Sequence, residues 1–401
     1  MTILTAALAA SLVLLIVLPM LIRWVDEQLG YLVLLIGGAM LALSLHLGII
    51  RFDGGSFLQT LISGQGEELH VLLLESWLLI LCYFALSLLA TLFHRTVVKA
   101  VWKWMRWMSP PAMIFLWTLV AGSFGSLSVV VMAVIGAIFF GTLQEVTRRD
   151  YTPCVVLFSA SIGLSALLST VGEPLSLFIA RALGEPSTFL LRTFGGVYAV
   201  NAVCLSVVSW FLAKRAQVLP VTTEEQMLES VHRAEGSLSP AVHPDDVTKA
   251  LSAVEEFEEE AHDFGHHLDR LLHSTTKLYF FVLGLLLFGE AVKPIAAQIF
   301  LTLPPLTAFF GNAVSAVADN ALLGLLEIQH GMPQQTVLIL GISLAFWGVG
   351  LVPGNVCNVV LKEKLQIPFR RWAACGIPCA IGLAMLNLAL IESGIARWLM
   401  F

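Results

Sequence analysis

Charge is scarce in this sequence: Asp, Glu, Lys and Arg make up 12% of 401 residues, against about a quarter in soluble proteins, while 58% of the residues are hydrophobic. Mean hydropathy is +0.86, which excludes a water-soluble globular domain. Sequence signatures of common catalytic centres are also missing. There is no HExxH, no GxSxG, no Walker-type glycine loop and no CxxC, so metallopeptidase, serine hydrolase and nucleotide-driven pump chemistry have nothing to stand on. No cofactor motif occurs and none is expected. The six cysteines, at 82, 154, 204, 357, 375 and 379, all fall in or beside apolar stretches, where they read as small packing residues.

The apolar residues come in blocks: 3–22, 31–50, 69–93, 112–141, 153–181, 194–213, 278–303, 305–329, 336–361 and 373–396. Residues 31–50 and 373–391 contain no charged side chain, and a run of about 20 such residues spans a bilayer. An all-α polytopic membrane protein follows. The first 20 residues lack a basic leader and a small-residue cleavage motif, so they are expected to be a first membrane helix. Three regions result: an N-terminal membrane half (1–213), a polar stretch (214–276) and a C-terminal membrane half (277–401). Between Glu224 and Arg270 thirteen acids face three bases, a net of −10, which leaves +4 on the rest of a chain whose total is −6. An amphipathic helix is expected there from Pro244 to Leu272, bearing His262, His266, His267 and His273. Charged solvated surface explains this pattern better than metal binding or pH sensing.

Basic residues in short connections mark the cytoplasmic side. Four groups compete for it: Arg95 to Arg106, Arg148 with Arg149, Lys214 with Arg215, and Lys362 to Arg371. Ten plain crossings cannot place all four on one side. Letting residues 112–141 enter from the cytoplasm and return, and residues 305–329 do the same from outside, reconciles them. The first candidate has the polar tip Gly122-Ser123-Phe124-Gly125-Ser126-Leu127-Ser128; the second opens at Pro304-Pro305 and carries Asp319-Asn320. The last four blocks of each half then read crossing, re-entrant hairpin, crossing, crossing, eight crossings and two hairpins in all, which is an inverted repeat of the kind that builds secondary transporters. Trp102, Trp104 and Trp107 among Lys103 and Arg106 fit an interfacial anchor rather than a nucleic-acid surface.

An ionisable group inside a membrane block marks a site until shown otherwise. His46, Glu75, Glu173, Asp319 and Glu327 qualify; Arg181, Glu290, Lys293 and Glu392 lie nearer interfaces, where long side chains reach the boundary. Glu173 stands in Ser169-Thr170-Val171-Gly172-Glu173-Pro174-Leu175-Ser176. Pro174 removes a helix N–H and clashes with the preceding turn, so the helix should break and leave carbonyls beside a carboxylate. Ser315 and Asp319, four residues apart, would share a helix face, with Asn320 adding an amide. Gly348 to Asn358, rich in Gly and Pro, should break the matching helix of the other half and bring Asn355 and Asn358 toward the same centre. Ser126 and Ser128 would line the first hairpin tip. His46 and Glu75 read as interior hydrogen-bonding groups.

These pieces together resemble bacterial sodium/proton antiporters of the ion-transporter superfamily, close to the NhaD-like type. The likeness rests on Ser169 to Ser176, on Ser315-Ala316-Val317-Ala318-Asp319-Asn320, and on Gly348 to Asn358 followed by Lys362-Glu363-Lys364-Leu365-Gln366-Ile367-Pro368-Phe369. It covers roughly 112–213 and 278–396. It implies an inner-membrane, multi-pass bacterial protein, a homodimer moving as an elevator, in which Asp319 and Asn320, with Glu173 in the broken helix, hold a transported Na+ or a proton. Where that type carries a second Asp-Asn at the first hairpin tip, this chain has Gly125-Ser126, so stoichiometry and ion preference do not carry over. The expected activity is exchange of cytosolic Na+ or Li+ for external H+. Burial disfavours the charged form of a carboxyl, so proton and cation would compete for one seat. An anion carrier for arsenite or dicarboxylate is the alternative, although acids, not bases, occupy the central blocks.

Overall fold

The computed structural model describes residues 2–48, 94–170, 173–218, 303–317, 320–328 and 330–400, with scattered positions between 81 and 88 and between 272 and 291. Among the described residues the chain forms helices and no strand. Four helices are long and apolar enough to cross a membrane: Leu29–His46, Val129–Thr147, Ser187–Lys214 and Phe369–Glu392. The number is five if Lys99–Met105 and Pro110–Ser126, which meet at 110°, count as one broken span.

In chain order the helices are α1 (Thr2–Leu21), α2 (Arg23–Glu27), α3 (Leu29–His46) and α4 (His94–Met105). Then come α5 (Pro110–Leu116), a π turn (Trp117–Ala121), a 3-10 turn (Phe124–Ser126), α6 (Val129–Thr147), α7 (Thr152–Ala166), α8 (Pro174–Leu183) and α9 (Ser187–Lys214). The C-terminal part has α10 (Pro305–Gly311), a 3-10 turn (Asn312–Ala316), α11 (Asn320–Glu327), α12 (Gln334–Trp347), a 3-10 turn (Val352–Gly354), α13 (Val356–Lys364), α14 (Phe369–Glu392) and α15 (Ile395–Trp398). One succession occurs twice: a short helix and tight turn, a returning helix, a helix interrupted and resumed, then a long helix.

Prolines punctuate this order. They open α5, α7 and α10 and precede α12 and α14, positions where a missing N–H costs no helical bond. Ser128 caps α6 by accepting from the Val131 N–H (3.4 Å), and Asn355 caps α13 by accepting from the Cys357 N–H (3.2 Å).

The surface is apolar and the interior carries the polar groups. Val203, Val207 and Phe211 on α9, and Ile377, Ile381 and Met385 on α14, form exposed stripes at four-residue spacing. Ser159, Ser161, Ser165, Asn201, Asn312, Ser343 and Asn358 are fully buried. Such stripes are a liability in water and fit a lipid boundary. Trp104 and Trp107 are exposed, as an interfacial anchor requires. The five described cysteines are free thiols, while Cys82 lies outside the described residues.

Three of the four basic connections, those at 148–149, 214–215 and 362–371, meet at one end. The Asp150 N–H donates to Gln217 O (2.9 Å), Arg149 bridges Val218, and Arg371 pairs with Asp150. At that end Lys362 and Asp26, both buried, form an ion pair (2.8 Å), and the Phe369 N–H donates to Asp26 Oδ2 (2.8 Å). Between the long helices α9 and α14, Asn201 and Asn387 exchange amide hydrogen bonds of 2.9 and 3.1 Å, and each also donates to the carbonyl four residues back in its own helix.

Candidate functional site

Four irregular stretches from the two halves bound the candidate site: the turn at 122–128, the interruption between α7 and α8, the turn at 312–316 with the start of α11, and the interruption between α12 and α13. α7 stops at Ala166 and α8 begins at Pro174, as Gly172-Glu173-Pro174 demands. Glu173 is half-buried just before α8, and its Oε1 accepts from Asn320 Nδ2 (3.4 Å) at the start of α11. α8 and α11 pack together, so the two half-helices bring an acid and an amide to one point. Asn320 is 4% exposed. Asp319, the preceding residue, lies outside the described residues, as do Val171 and Gly172.

Two carbonyls released at this interruption are engaged. The Ser176 hydroxyl reaches the carbonyls of both Ser169 (2.6 Å) and Glu173 (2.7 Å). The Thr170 hydroxyl meets that of Ser187 (2.9 Å). In the turn at 122–128, Ser126 donates to Ser123 O (3.0 Å), and Ser128 serves as the cap of α6. Gly125 lies so close to α7 that a Cβ there would overlap Ser165 Oγ and Ile162 O. Ser161 and Ser165 donate to Thr118 O (3.0 Å) and Gly122 O (2.7 Å), fastening this turn to α7.

The second turn corrects one expectation. Ser315 sits not on an α-helix but in the 3-10 turn Asn312–Ala316, and Asp319, with which it was expected to share a helix face, lies outside the described residues. Tertiary contacts explain the change: the Ser315 hydroxyl donates to Leu344 O (3.2 Å), and Gly354 is pressed against the Ser315 carbonyl.

The interruption between α12 and α13 falls where Gly348 to Asn355 predicted it, but Asn358 acts as its brace. Its Nδ2 donates to Gly348 O and Leu351 O (both 2.8 Å), and its Oδ1 accepts from Ser159 (2.6 Å). Asn355 Oδ1 is occupied in capping; its Nδ2 is buried with no partner and lies beside Gly163 of α7. The amide oxygens expected to point at an ion are thus both bonded to protein groups.

A second polar cluster escaped the sequence. Asn312 Nδ2 donates to Glu327 Oε2 (2.9 Å) and to Ser343 Oγ (2.8 Å), and all three residues are buried. Glu327 was visible as a membrane acid, yet nothing in a 15-residue separation announces that Asn312, in the 3-10 turn, meets the last residue of α11. Two uncharged polar residues in apolar surroundings, Asn312 and Ser343, were the available signal. His46 is exposed near the end of α3, and Glu75, Glu290 and Lys293, like the stretch 219–271 that includes His262, His266 and His267, lie outside the described residues.

A family model described as a protein of unknown function, DUF1646, matches residues 5–236 and 241–392. No curated protein matches the chain.

Proposed function

This chain belongs to the DUF1646 family across both of its halves, and on that premise we propose that it is a secondary transporter exchanging Na+ or Li+ for H+. The observation that carries the reading is Glu173 bonded to Asn320 where two interrupted helices from opposite halves meet. Neither residue has an evident structural reason to interrupt an apolar helix. Glu173 and Asp319 would hold the cation, with the Asn320 amide oxygen completing the seat, and a proton on either carboxyl would exclude it. Competition of this kind couples two fluxes without ATP.

The architecture that such exchange needs is an inverted repeat with two re-entrant hairpins. Support comes from the twice-repeated succession of elements and from matched contacts: α6 packs on α13 as α11 packs on α8, and the turn at 124–126 packs on α7 as that at 312–316 packs on α12. The reciprocal amides of Asn201 and Asn387, on corresponding long helices, fit a two-fold relation. The convergence of residues 149–150, 217–218 and 371 at one end supports a first hairpin that enters and leaves on that side, assigned to the cytoplasm of a bacterial inner membrane. A homodimer, with one part of each chain moving against the other, would carry the site across.

Proteoliposomes with an interior pH dye test the reading, scanning Na+, Li+, K+ and arsenite. Na+- or Li+-driven proton movement that disappears in the Glu173→Gln, Asp319→Asn double variant is expected. Movement that survives both changes overturns the site; uptake of arsenite or a dicarboxylate without cation exchange would favour an anion carrier.

A further inference from the structure

Glu327 is 3% exposed, and among the described residues its only polar contact is one amide N–H from Asn312. Its other oxygen, Oε1, is buried with no hydrogen-bond partner, and the same holds for Asn312 Oδ1. Two orphaned acceptors on bonded neighbours are short of a hydrogen. Of the elements packed against α11, α12 and the turn at 312–316 contain no ionisable residue, and α8 carries Arg181, whose side chain lies outside the described residues. Glu173, just ahead of α8, is engaged with Asn320 at the opposite end of α11. Among the described side chains, an ionised Glu327 would be a buried anion with one neutral donor, an arrangement that native interiors avoid. A protonated Glu327 gains an O–H that can satisfy an acceptor, and removes the charge.

We propose that Glu327, cradled by Asn312 and Ser343, is a proton-carrying carboxyl separate from the Glu173 seat: protonated while buried, it releases its proton to water when water reaches the cluster and is reprotonated from water afterwards. The step breaks and re-forms one O–H bond and needs no other reactant. It rests on the proposed exchange for its purpose but not for its detection. Asn312 and Ser343 position the carboxyl, Ser343 holding the Asn312 amide so that its second N–H points at Glu327.

Infrared difference spectroscopy of the full-length protein in detergent tests this directly. A protonated-carboxyl carbonyl band at neutral pH is expected, lost in Glu327→Gln, retained at a shifted position in Glu327→Asp, and moved in Asn312→Ala. An unchanged band in Glu327→Gln overturns the proposal, whatever the transport assay gives. Addition of Na+ should discharge the band and release protons in the unmodified protein, while Glu327→Gln still binds 22Na+ but releases fewer protons. Proton release unaffected by Glu327→Gln also overturns it, and leaves the exchange at Glu173 standing. A protein that moves no cation at all yet shows the Glu327 band would instead sink the reading of Glu173.

Discussion

Glu173 and Asn320 meet at 3.4 Å, the long end of a hydrogen bond. A bond to a charged group contributes about 1.5–3 kcal/mol, and at this length the lower figure applies, so Asn320→Ala should raise the half-saturating Na+ concentration about tenfold. Glu173→Gln keeps the shape and removes the charge, and should abolish cation-driven proton movement while leaving the thermal melting temperature close to that of the parent; a large fall in melting temperature would mark Glu173 as structural. The position of Glu173 was legible because Gly-Glu-Pro inside an apolar block has few uses. The Asn312–Glu327–Ser343 cluster was not, since its members stand in three elements and only folding makes them neighbours.

At the level of elements, interruptions written in Pro and Gly were legible: α7 ends before Glu173-Pro174, and α12 ends before Gly348 to Gly354. The 3-10 turn at 312–316 was not, because Ala, Val and Ser permit an α-helix there and the choice is made by Leu344 and Gly354, about 30 to 40 residues away in sequence. The roles of Asn355 and Asn358 show the same limit. Their presence was anticipated, but whether an amide faces an ion or ties down a broken helix depends on partners such as Ser159. The turn at 122–128 makes a sharp test of packing. Gly125→Val would force a branched side chain into Ser165 and the Ile162 carbonyl, and overpacking of this kind costs about 1–3 kcal/mol. The variant should melt lower in detergent and lose transport, whereas Gly38→Ala, at a position with open space, should do neither.

For the whole molecule, counting basic residues was enough to expect the connections at 148–149, 214–215 and 362–371 on one side, and the contacts around Asp150 gather them there. Nothing in the sequence tied Asp26 to Lys362 across 336 residues. Removing one partner of such a buried pair costs about 3–5 kcal/mol, because the other charge stays behind; Asp26→Ala should melt well below the parent, and Asp26→Leu with Lys362→Met should recover most of the loss. The amides of Asn201 and Asn387 differ from that pair in being interchangeable, each giving what it receives. A contact that reads the same from either partner is how two identical chains recognise each other. If the halves descend from one shorter ancestor, the mutual grip outlasted their fusion: a chain cut within the acidic connector should yield two fragments that co-purify, and Asn201→Leu in one fragment alone should loosen the reunion.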